Sequence, residues 1–316
     1  MRKFQKIEWE LSLTNNWLFK KVGLMKLVIT GYNSYIGNNL QSYIQNTDDT
    51  FEIYQLDVVG DKWRSFDFTG YDVVVHVAAI VHRKDIESWD IYQKVNVDLP
   101  LEIAEKAKSQ GVKQFVFLSS MAVYGIGKSL SDKEGEVSRR TELSPKSLYG
   151  KSKHYAEQKL AAMEDEYFKL AIVRPPNVYG PGCRGGYIST YCKIVSKLPA
   201  IPKAYTNVKQ SVLYIDNLSR FIYLLIVNQK KGIYTPQDNK TISAVELMEC
   251  INESLNLNKK TSSFLGLFIY LVSFLSLVKK GYGGVSYRIE DSHQDEYDYI
   301  IVPCEEGIRR TVQNGN

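Results

Sequence analysis

The stretch Met25-Lys-Leu-Val-Ile-Thr-Gly-Tyr-Asn-Ser-Tyr-Ile-Gly37 places an apolar run directly before a turn that has a glycine at each end. The run is rich in β-branched residues, so we interpret residues 26–30 as a buried strand and residues 38–45 as the helix that follows. A glycine turn between a strand and a helix lets backbone N–H groups approach a phosphate at the helix N-terminus. The turn residues expected at such a cofactor are Gly31, Ser34, Tyr35, Ile36 and Gly37.

Asp57 identifies the cofactor more closely. It ends a second apolar run, residues 51–56, about 20 residues after Gly37. A carboxylate at the end of this strand can accept hydrogen bonds from both ribose hydroxyls of adenosine, and it would repel a 2′-phosphate. The sequence therefore favours NAD over NADP, although an aspartate in an ordinary strand-end turn is the competing interpretation.

Strand and helix patterns alternate along most of the chain. Further apolar runs at 71–79, 113–118 and 169–174 are typical of buried strands, and residues 88–110 are typical of a helix. This alternation predicts an α/β fold, a doubly wound parallel sheet of the Rossmann type. We predict an N-terminal extension at 1–24, an NAD-binding Rossmann domain at 25–177, and at 178–316 mainly a smaller mixed α/β substrate-binding lobe, from which 211–228 could return to the large domain.

Ligands of parallel sheets bind beyond the carboxyl ends of the strands. Gly31, Asp57, Ala79 and Ser120 each follow a predicted strand. Ala78 and Ala79 are small enough to leave room for a cofactor above the sheet edge. The convergence of these residues on one edge predicts the site.

Tyr149 and Lys153 lie four residues apart in the stretch Ser147-Leu-Tyr-Gly-Lys-Ser-Lys153, where Ser147 is a candidate helix cap. This spacing puts both side chains on one helix face. A phenol titrates near ~10 in water, and a neighbouring positive charge favours its phenolate. Such a tyrosine can exchange a proton near neutral pH, whereas the alternative for the isolated pattern is a solvated helix face.

Composition narrows the classes of function. The net charge of +5 over 316 residues, without a basic and aromatic cluster, argues against a nucleic-acid partner. The four cysteines lie far apart and predict reduced thiols in a cytoplasmic protein, without a metal site or disulfides. The apolar run 264–278 is shorter than the roughly 20 residues that span a bilayer. We interpret it as a core-facing helix, with a membrane-surface contact as the alternative.

With these motifs in place, the chain resembles the extended short-chain dehydrogenase/reductases, in particular the NAD-dependent epimerase/dehydratase family that acts on nucleotide sugars. The resemblance covers about residues 25–255 and rests on an ordered set of motifs. They are Thr30-Gly31 to Gly37, His76-Val-Ala-Ala79, Ser119-Ser-Met-Ala-Val-Tyr-Gly125, Tyr149 to Lys153, Arg174-Pro-Pro-Asn-Val-Tyr-Gly-Pro-Gly182 and Leu213-Tyr-Ile-Asp-Asn217.

The resemblance implies roles for individual residues. Ser120 would hydrogen-bond the reacting sugar oxygen, Tyr149 would be the base, and Lys153 would hold the nicotinamide ribose and depress the pKa of Tyr149. Asn177 would contact the substrate near its diphosphate, with Tyr179 and Lys209 on the same side. To the cofactor site we also assign Asp67, Phe68, Ala78, Ala79 and Asn96, where the alternative for Asn96 is a purely structural role in a buried turn. The resemblance is also compatible with a homodimer formed through the helices at 88–110 and 148–166.

Two departures from the family pattern matter. Met121 and Ala122 stand where sugar dehydratases of this family carry an Asp-Glu pair, so dehydration is not expected. Gln210 stands where many relatives place a pyrophosphate-binding arginine, so Lys209, Arg184 or Arg288 would have to supply that charge.

Three functions are compatible with these residues. The first is an NAD-dependent nucleotide-sugar 4-epimerase in the supply of glycan or surface polysaccharide precursors. The second is a nucleotide 4-keto-sugar reductase or dehydrogenase with an exchangeable cofactor. The third, a non-catalytic NAD-binding regulatory protein, is disfavoured by the intact set of Ser120, Tyr149 and Lys153.

Overall fold

The computed structural model describes residues 24–81, 88–183, 186–292 and 297–314. Nearly all of the predicted N-terminal extension and the candidate cation Arg184 lie outside these residues. The strands are β1 (Met25–Thr30), β2 (Phe51–Leu56), β3 (Val73–His76), β4 (Gln114–Leu118), β5 (Glu136–Val137), β6 (Lys169–Val173), β7 (Asn177–Tyr179), β8 (Ile201–Pro202), β9 (Lys209–Gln210), β10 (Val212–Tyr214), β11 (Gly232–Tyr234), β12 (Ile242–Ser243), β13 (Thr261–Ser262) and β14 (Ser286–Tyr287). The α-helices are α1 (Tyr35–Thr47), α2 (Trp89–Tyr92), α3 (Leu99–Ser109), α4 (Leu148–Ala161), α5 (Tyr187–Lys197), α6 (Ile215–Val227), α7 (Ala244–Ser254), α8 (Ser263–Leu271), α9 (Ser276–Tyr282) and α10 (Cys304–Asn314).

Six strands form a parallel sheet in the order β11-β6-β4-β3-β1-β2. Successive side chains of its central strands point to opposite faces, and both faces are buried. Leu27 and Ile29 of β1 enter one hydrophobic core, while Val28 enters the other. The predicted doubly wound α/β fold is confirmed, since α1 and α6 cover one face and α3 and α4 cover the other.

The strand order reverses at β1, which has β2 on one side and β3 on the other. A crevice forms at such a reversal because the connections leave the sheet in opposite directions. The turn after β1 and the segment after β3 border this crevice, so the topology places the predicted glycine turn beside Ala78 and Ala79.

The helix predicted at 88–110 is interrupted. Gln93–Asp98 forms a π-helical segment between α2 and α3. Such segments are rare and frequent at functional sites. Asn96 lies in this segment and is fully buried.

The C-terminal half contains the short strand pairs β7–β10, β9–β12 and β8–β13, and its β14 pairs with β5 from the preceding half; the helices α5, α7 and α10 pack together. Residues 215–234 belong to the large sheet and its helices instead, because α6 packs against α1 and β11 forms the edge strand of that sheet. The domain boundary at residue 177 remains a prediction.

A buried carboxylate, Asp238, joins the elements of this half. Its Oδ1 accepts hydrogen bonds from the Tyr214 backbone N–H and the Asn217 amide, both at 2.9 Å. Asn217 also accepts from the backbone N–H of Ile301 and Val302. The Leu213–Asn217 motif therefore secures the chain that leads into α10.

The prediction of a core-facing helix at 264–278 is wrong. The segment forms α8 and the start of α9, and most of its large apolar side chains face solvent. Gly266 and Val278 are its only buried residues. Apolar composition predicted burial, but the surrounding elements cover only one narrow side of the segment. Within the described residues, no helix has the length and apolarity needed to cross a bilayer.

Candidate active site

Gly31 makes the close turn at the end of β1. Its φ of +95° favours glycine, and an added Cβ would lie 3.2 Å from the Cα of Ala78. Its N–H donates to the Leu56 carbonyl at 3.1 Å, which holds the turn against the end of β2. This brings backbone close to the position where a cofactor diphosphate would lie, at the N-terminus of α1.

Ser34 has a defined role although it replaces the usual glycine of such turns. It is the N-cap of α1, and its Oγ accepts from the Gly37 N–H at 3.2 Å. Gly37 itself is buried beneath the turn, where an added Cβ would be 2.7 Å from Ser34 Oγ. Gly37 therefore serves packing rather than cofactor contact.

A cleft of about 930 Å³ lies beyond β1, β2 and β3. Its lining includes Gly31, Ser34, Tyr35, Ile36, Asp57, Ala78 and Ala79. Asp57 is exposed at the end of β2, and its Oδ1 accepts from the Val59 N–H at 2.9 Å. Three features of this cleft fit NAD. A side chain at Gly31 would fill the space needed by the diphosphate, the N-terminus of α1 favours an anion, and the Asp57 carboxylate can accept from the ribose hydroxyls.

Besides Gly37, three predicted cofactor residues do not line this cleft. The Asp67 carboxylate accepts from the Thr69 N–H at 2.9 Å, and Phe68 is fully buried in the core. Asn96 accepts from the Ile80 N–H at 2.8 Å, and it donates to the Ile80 carbonyl at 2.9 Å and to Ser152 Oγ at 3.0 Å. Asn96 therefore fixes the backbone of Ile80, which lines the cleft, and this is the structural role that we gave as the alternative to cofactor contact.

Ser120, Tyr149 and Lys153 line a second cleft of about 550 Å³. Ile36 and Ala79 line both clefts, so the two clefts adjoin. Ser120 arrives at the end of β4, whereas Tyr149 and Lys153 arrive on α4, which Ser147 caps by accepting from the Gly150 N–H at 3.0 Å. The structure therefore brings the predicted catalytic residues together beside the cofactor cleft.

Gly150 allows α4 to approach the segment that carries Ser120. An added Cβ at Gly150 would lie 2.5 Å from the carbonyl oxygen of Ala122. Burial raises the pKa of Tyr149 to about 12, against the opposing influence of the neighbouring Ser120 hydroxyl.

Lys153 is buried, and its Nζ donates to the Leu118 carbonyl at 2.6 Å. Burial lowers the pKa of Lys153 to about 7, against the favourable charge of Glu157. The expectation that Lys153 depresses the pKa of Tyr149 is not met in this structure. The desolvation of Tyr149 raises its pKa by more than the neighbouring Ser120 lowers it. The ammonium of Lys153 donates its hydrogen bond to the Leu118 carbonyl instead of to Tyr149.

On the substrate side, Asn177 lines the cleft that contains Ser120, Tyr149 and Lys153. Its contact with the substrate diphosphate stays a prediction. Tyr179 does not line it: its side chain is 1% exposed, and its hydroxyl donates to Asp238 Oδ2 at 2.7 Å. Lys209 is also directed elsewhere, because its Nζ pairs with Glu246 at 2.6 Å. The candidate cation Arg288 pairs with Glu136 at 2.7 Å.

Lys128 is the cation that our sequence analysis missed. It lines the catalytic cleft, its Nζ lies 5.1 Å from the ring centre of Tyr187, and burial lowers its pKa. Gln210 also lines this cleft. Lys128 belongs to a polar loop without secondary-structure pattern, and long-range contacts bring it to the cleft: the bridge between Ser129 and Gly284 and its own hydrogen bond to the Lys280 carbonyl. No local sequence signal could have found it.

A dinucleotide cleft that adjoins a Ser-Tyr-Lys cleft at the carboxyl edge of a parallel sheet defines an NAD-dependent enzyme. The chain belongs to the NAD-dependent epimerase/dehydratase family, whose model matches residues 27–235.

Among curated proteins, the chain is 30% identical over 254 residues to a UDP-glucose 4-epimerase of Vibrio cholerae, covering 77% of this chain and 75% of the relative. It is 31% identical over 215 residues to the N-acetyl-alpha-D-glucosaminyl-diphospho-ditrans,octacis-undecaprenol 4-epimerase of Escherichia coli O157:H7, covering 65% of this chain and 61% of the relative. The fold is similar to that of a UDP-glucuronic acid 4-epimerase from Bacillus cereus in complex with NAD, with a TM-score of 0.68 and 17% identity, covering 92% of this chain and 98% of the other.

Proposed function

We propose that this chain is a 4-epimerase of nucleotide-diphosphate sugars that uses tightly held NAD. The observation that carries the proposal is the meeting of the Asp57 cofactor cleft with the cleft lined by Ser120, Tyr149 and Lys153. Two relatives named as 4-epimerases support the reaction type. The pathway that we propose is the supply of precursors for glycans or surface polysaccharides.

Tyr149 and Ser120 act on one oxygen of the sugar. Tyr149 removes the proton of the C4 hydroxyl, and the Ser120 hydroxyl donates a hydrogen bond to the same oxygen as carbonyl character develops. The cleft that contains Gly31 and Asp57 would hold NAD, which would supply the reversible hydride transfer at C4 that connects the two epimers. Tyr149 then gives the proton back, so its pKa must be low enough for removal and high enough for return.

A tyrosine is protonated at neutral pH, since its ordinary pKa is near ~10, and burial raises the pKa of Tyr149 further, to about 12. Catalysis therefore requires a positive charge near the phenol to stabilise the phenolate. Lys153 is the side chain of this site that can supply it. With a pKa near 7, Lys153 is itself close to the point at which it gains or loses charge.

The cleft also favours epimerisation over elimination. Met121 and Ala122 line it next to Ser120, so neither position supplies a carboxylate for the removal of water. The volume of about 550 Å³ lies within the ~300–1,000 Å³ typical of small-molecule sites, which leaves space for a sugar ring to turn over.

Lys128 is the proposed partner of the substrate diphosphate. It is the lysine of this cleft other than Lys153, and an ammonium is a suitable point charge for phosphate oxygens. Asn177, at the start of β7, would donate its amide to the same group.

The test uses the purified protein, a panel of UDP- and dTDP-sugars, and no added nucleotide cofactor. Products are resolved by NMR while NADH absorbance is followed. Interconversion of C4 epimers without a net change in NADH supports the proposal. Turnover only after NADH or NADPH is supplied with a 4-keto sugar would favour the reductase instead. Absence of both reactions in a protein that binds NAD would favour a regulatory role.

A further inference from the structure

The helices α8 and α9 and the turn between them expose a run of large apolar side chains. We call it the apolar patch, and its members are Phe264, Leu267, Phe268, Leu271, Phe274, Leu275 and Leu277. Phe264 and Phe274 are each 80% exposed, and Leu277 is 75% exposed. Clustered large apolar side chains on a surface indicate a binding face, whereas single ones are ordinary.

The apolar patch is held firmly on the body of the protein. An added Cβ at Gly266 would lie 2.0 Å from the carbonyl oxygen of Lys203, so α8 packs directly on that backbone. The Tyr205 N–H donates to the Tyr270 hydroxyl at 2.9 Å, and the two rings lie 4.5 Å apart. These contacts orient the buried side of α8 inward and its apolar side outward.

Within the chain segment that carries the apolar patch, all charged side chains are cationic. One carboxylate from another element lies beside the start of this segment, since Glu249 of α7 accepts a hydrogen bond from Thr261 at 2.9 Å. Residues 254–289 contain Lys259, Lys260, Lys279, Lys280 and Arg288 but no aspartate or glutamate. Lys260, Lys279 and Lys280 are exposed. Cationic side chains beside an apolar surface complement anionic headgroups above hydrocarbon.

We propose that the apolar patch docks this protein onto the surface of an anionic lipid bilayer. A bilayer requires no complementary hydrogen bonds from the inserted face, and residues 264–278 contain no charged side chain. A second copy of the chain is a poorer occupant, because a symmetric contact would bring the lysines of both copies together. The nine residues of α8 rise about 14 Å, roughly half the ~30 Å hydrocarbon core, so the contact is interfacial.

Docking would place the catalytic cleft close to the membrane. The Lys128 ammonium, which lines the cleft, donates to the carbonyl of Lys280 at 2.9 Å. Val285, a few residues after α9, also lines the cleft. The proposal concerns where the enzyme works, and it does not depend on which sugar the cleft accepts.

Vesicle flotation of the purified full-length protein tests the proposal. The vesicles are phosphatidylcholine alone or phosphatidylcholine with about 30% phosphatidylglycerol. We expect the protein to float with the anionic vesicles and the double variant Phe264→Ser/Phe274→Ser to bind at least tenfold more weakly. Lys279→Glu/Lys280→Glu should lose the preference for anionic vesicles. Tyr167→Ser is the control, since Tyr167 is 76% exposed but precedes β6, at the opposite end of the sheet from the cleft.

Either of two flotation results would overturn the proposal. One is a wild-type protein that stays at the bottom of the gradient with both vesicle types. The other is flotation of Phe264→Ser/Phe274→Ser equal to that of wild type and Tyr167→Ser. Self-association without vesicles, measured by sedimentation and abolished by Phe264→Ser/Phe274→Ser, would assign the patch to a second copy. Circular dichroism of each variant separates these outcomes from misfolding.

Discussion

The ammonium nitrogen of Lys153 donates a hydrogen bond to the carbonyl oxygen of Leu118 across 2.6 Å. Leu118 ends β4, and Ser120 follows two residues later, so this bond joins the helix that carries Tyr149 to the strand end that carries Ser120. The bond is buried, and the burial lowers the pKa of Lys153 to about 7. The geometry of the proposed catalytic residues is therefore linked to the proton on Lys153, whose pKa lies near neutrality.

This linkage predicts how stability changes with pH. The folded pKa of Lys153 is near 7 and its ordinary value is 10.5, so between these values the unfolded chain binds more protons than the folded one. Stability of the NAD-free protein should rise through this window, by on the order of a few kcal/mol from Lys153. Lys153→Met removes this contribution. Denaturant unfolding at pH 6 to 10 measures the free energy of unfolding of wild type and Lys153→Met. The difference between the two proteins should change with pH, and a constant difference would contradict the lowered pKa of Lys153.

Tyr149→Phe removes the proton acceptor and keeps the ring. We expect kcat to fall by about 10² to 10⁴, the usual contribution of a general base, while NAD binding is preserved. Tyr155→Phe is the matched control, because Tyr155 lies on the same helix, is 48% exposed and packs against Trp89. Turnover of Tyr149→Phe near the wild-type rate would remove the base role.

Asp57→Ala tests the choice of cofactor. Loss of a charged acceptor of the ribose hydroxyls should weaken NAD binding by about 10-fold or more, and NADP binding should change less. Isothermal titration of the stripped protein with each nucleotide measures both. Asp67→Ala is the control, since its carboxylate faces the Thr69 N–H instead of the cleft. Equal losses for NAD and NADP would exclude the ribose contact, and weakened NAD binding in Asp67→Ala would restore Asp67 to the site.

Lys128→Met tests the diphosphate contact and keeps an apolar stem in the cleft. We expect KM for the nucleotide sugar to rise about tenfold, in line with a hydrogen bond to a charged group. Lys209→Met should leave KM nearly unchanged, because Lys209 pairs with Glu246. Steady-state kinetics of both variants measure these effects. A raised KM in Lys209→Met together with an unchanged KM in Lys128→Met would contradict the diphosphate contact of Lys128.

The sequence predicted the parts of the site that depend on local pattern. The glycine turn at Gly31, the strand end at Asp57 and the spacing of Tyr149 and Lys153 are properties of single elements. The parallel sheet then brings their positions to one edge, so their convergence could be foreseen. The cap formed by Ser34 shows that a departure from the usual turn pattern can be satisfied locally.

The roles that the sequence did not predict depend on long-range contacts. Tyr179 bonds Asp238, which lies 59 positions along the chain, and Lys209 meets Glu246 across 37 positions. Asn96 supports the cleft wall from a π-helical segment, which the sequence pattern at 88–110 did not predict. We did not predict the exposure of 264–278, because an apolar composition does not determine whether other parts of the chain cover the segment.

The most direct test of the central claim is the fate of the hydrogen on C4. A UDP-sugar that turns over in the panel is prepared with deuterium at C4 and incubated with the enzyme and a large excess of unlabelled NADH in solution. The epimerase account predicts that the C4 epimer keeps its deuterium at C4, because hydride returns from the cofactor held in the site. Loss of deuterium into the NADH pool, in proportion to product formed, would contradict it.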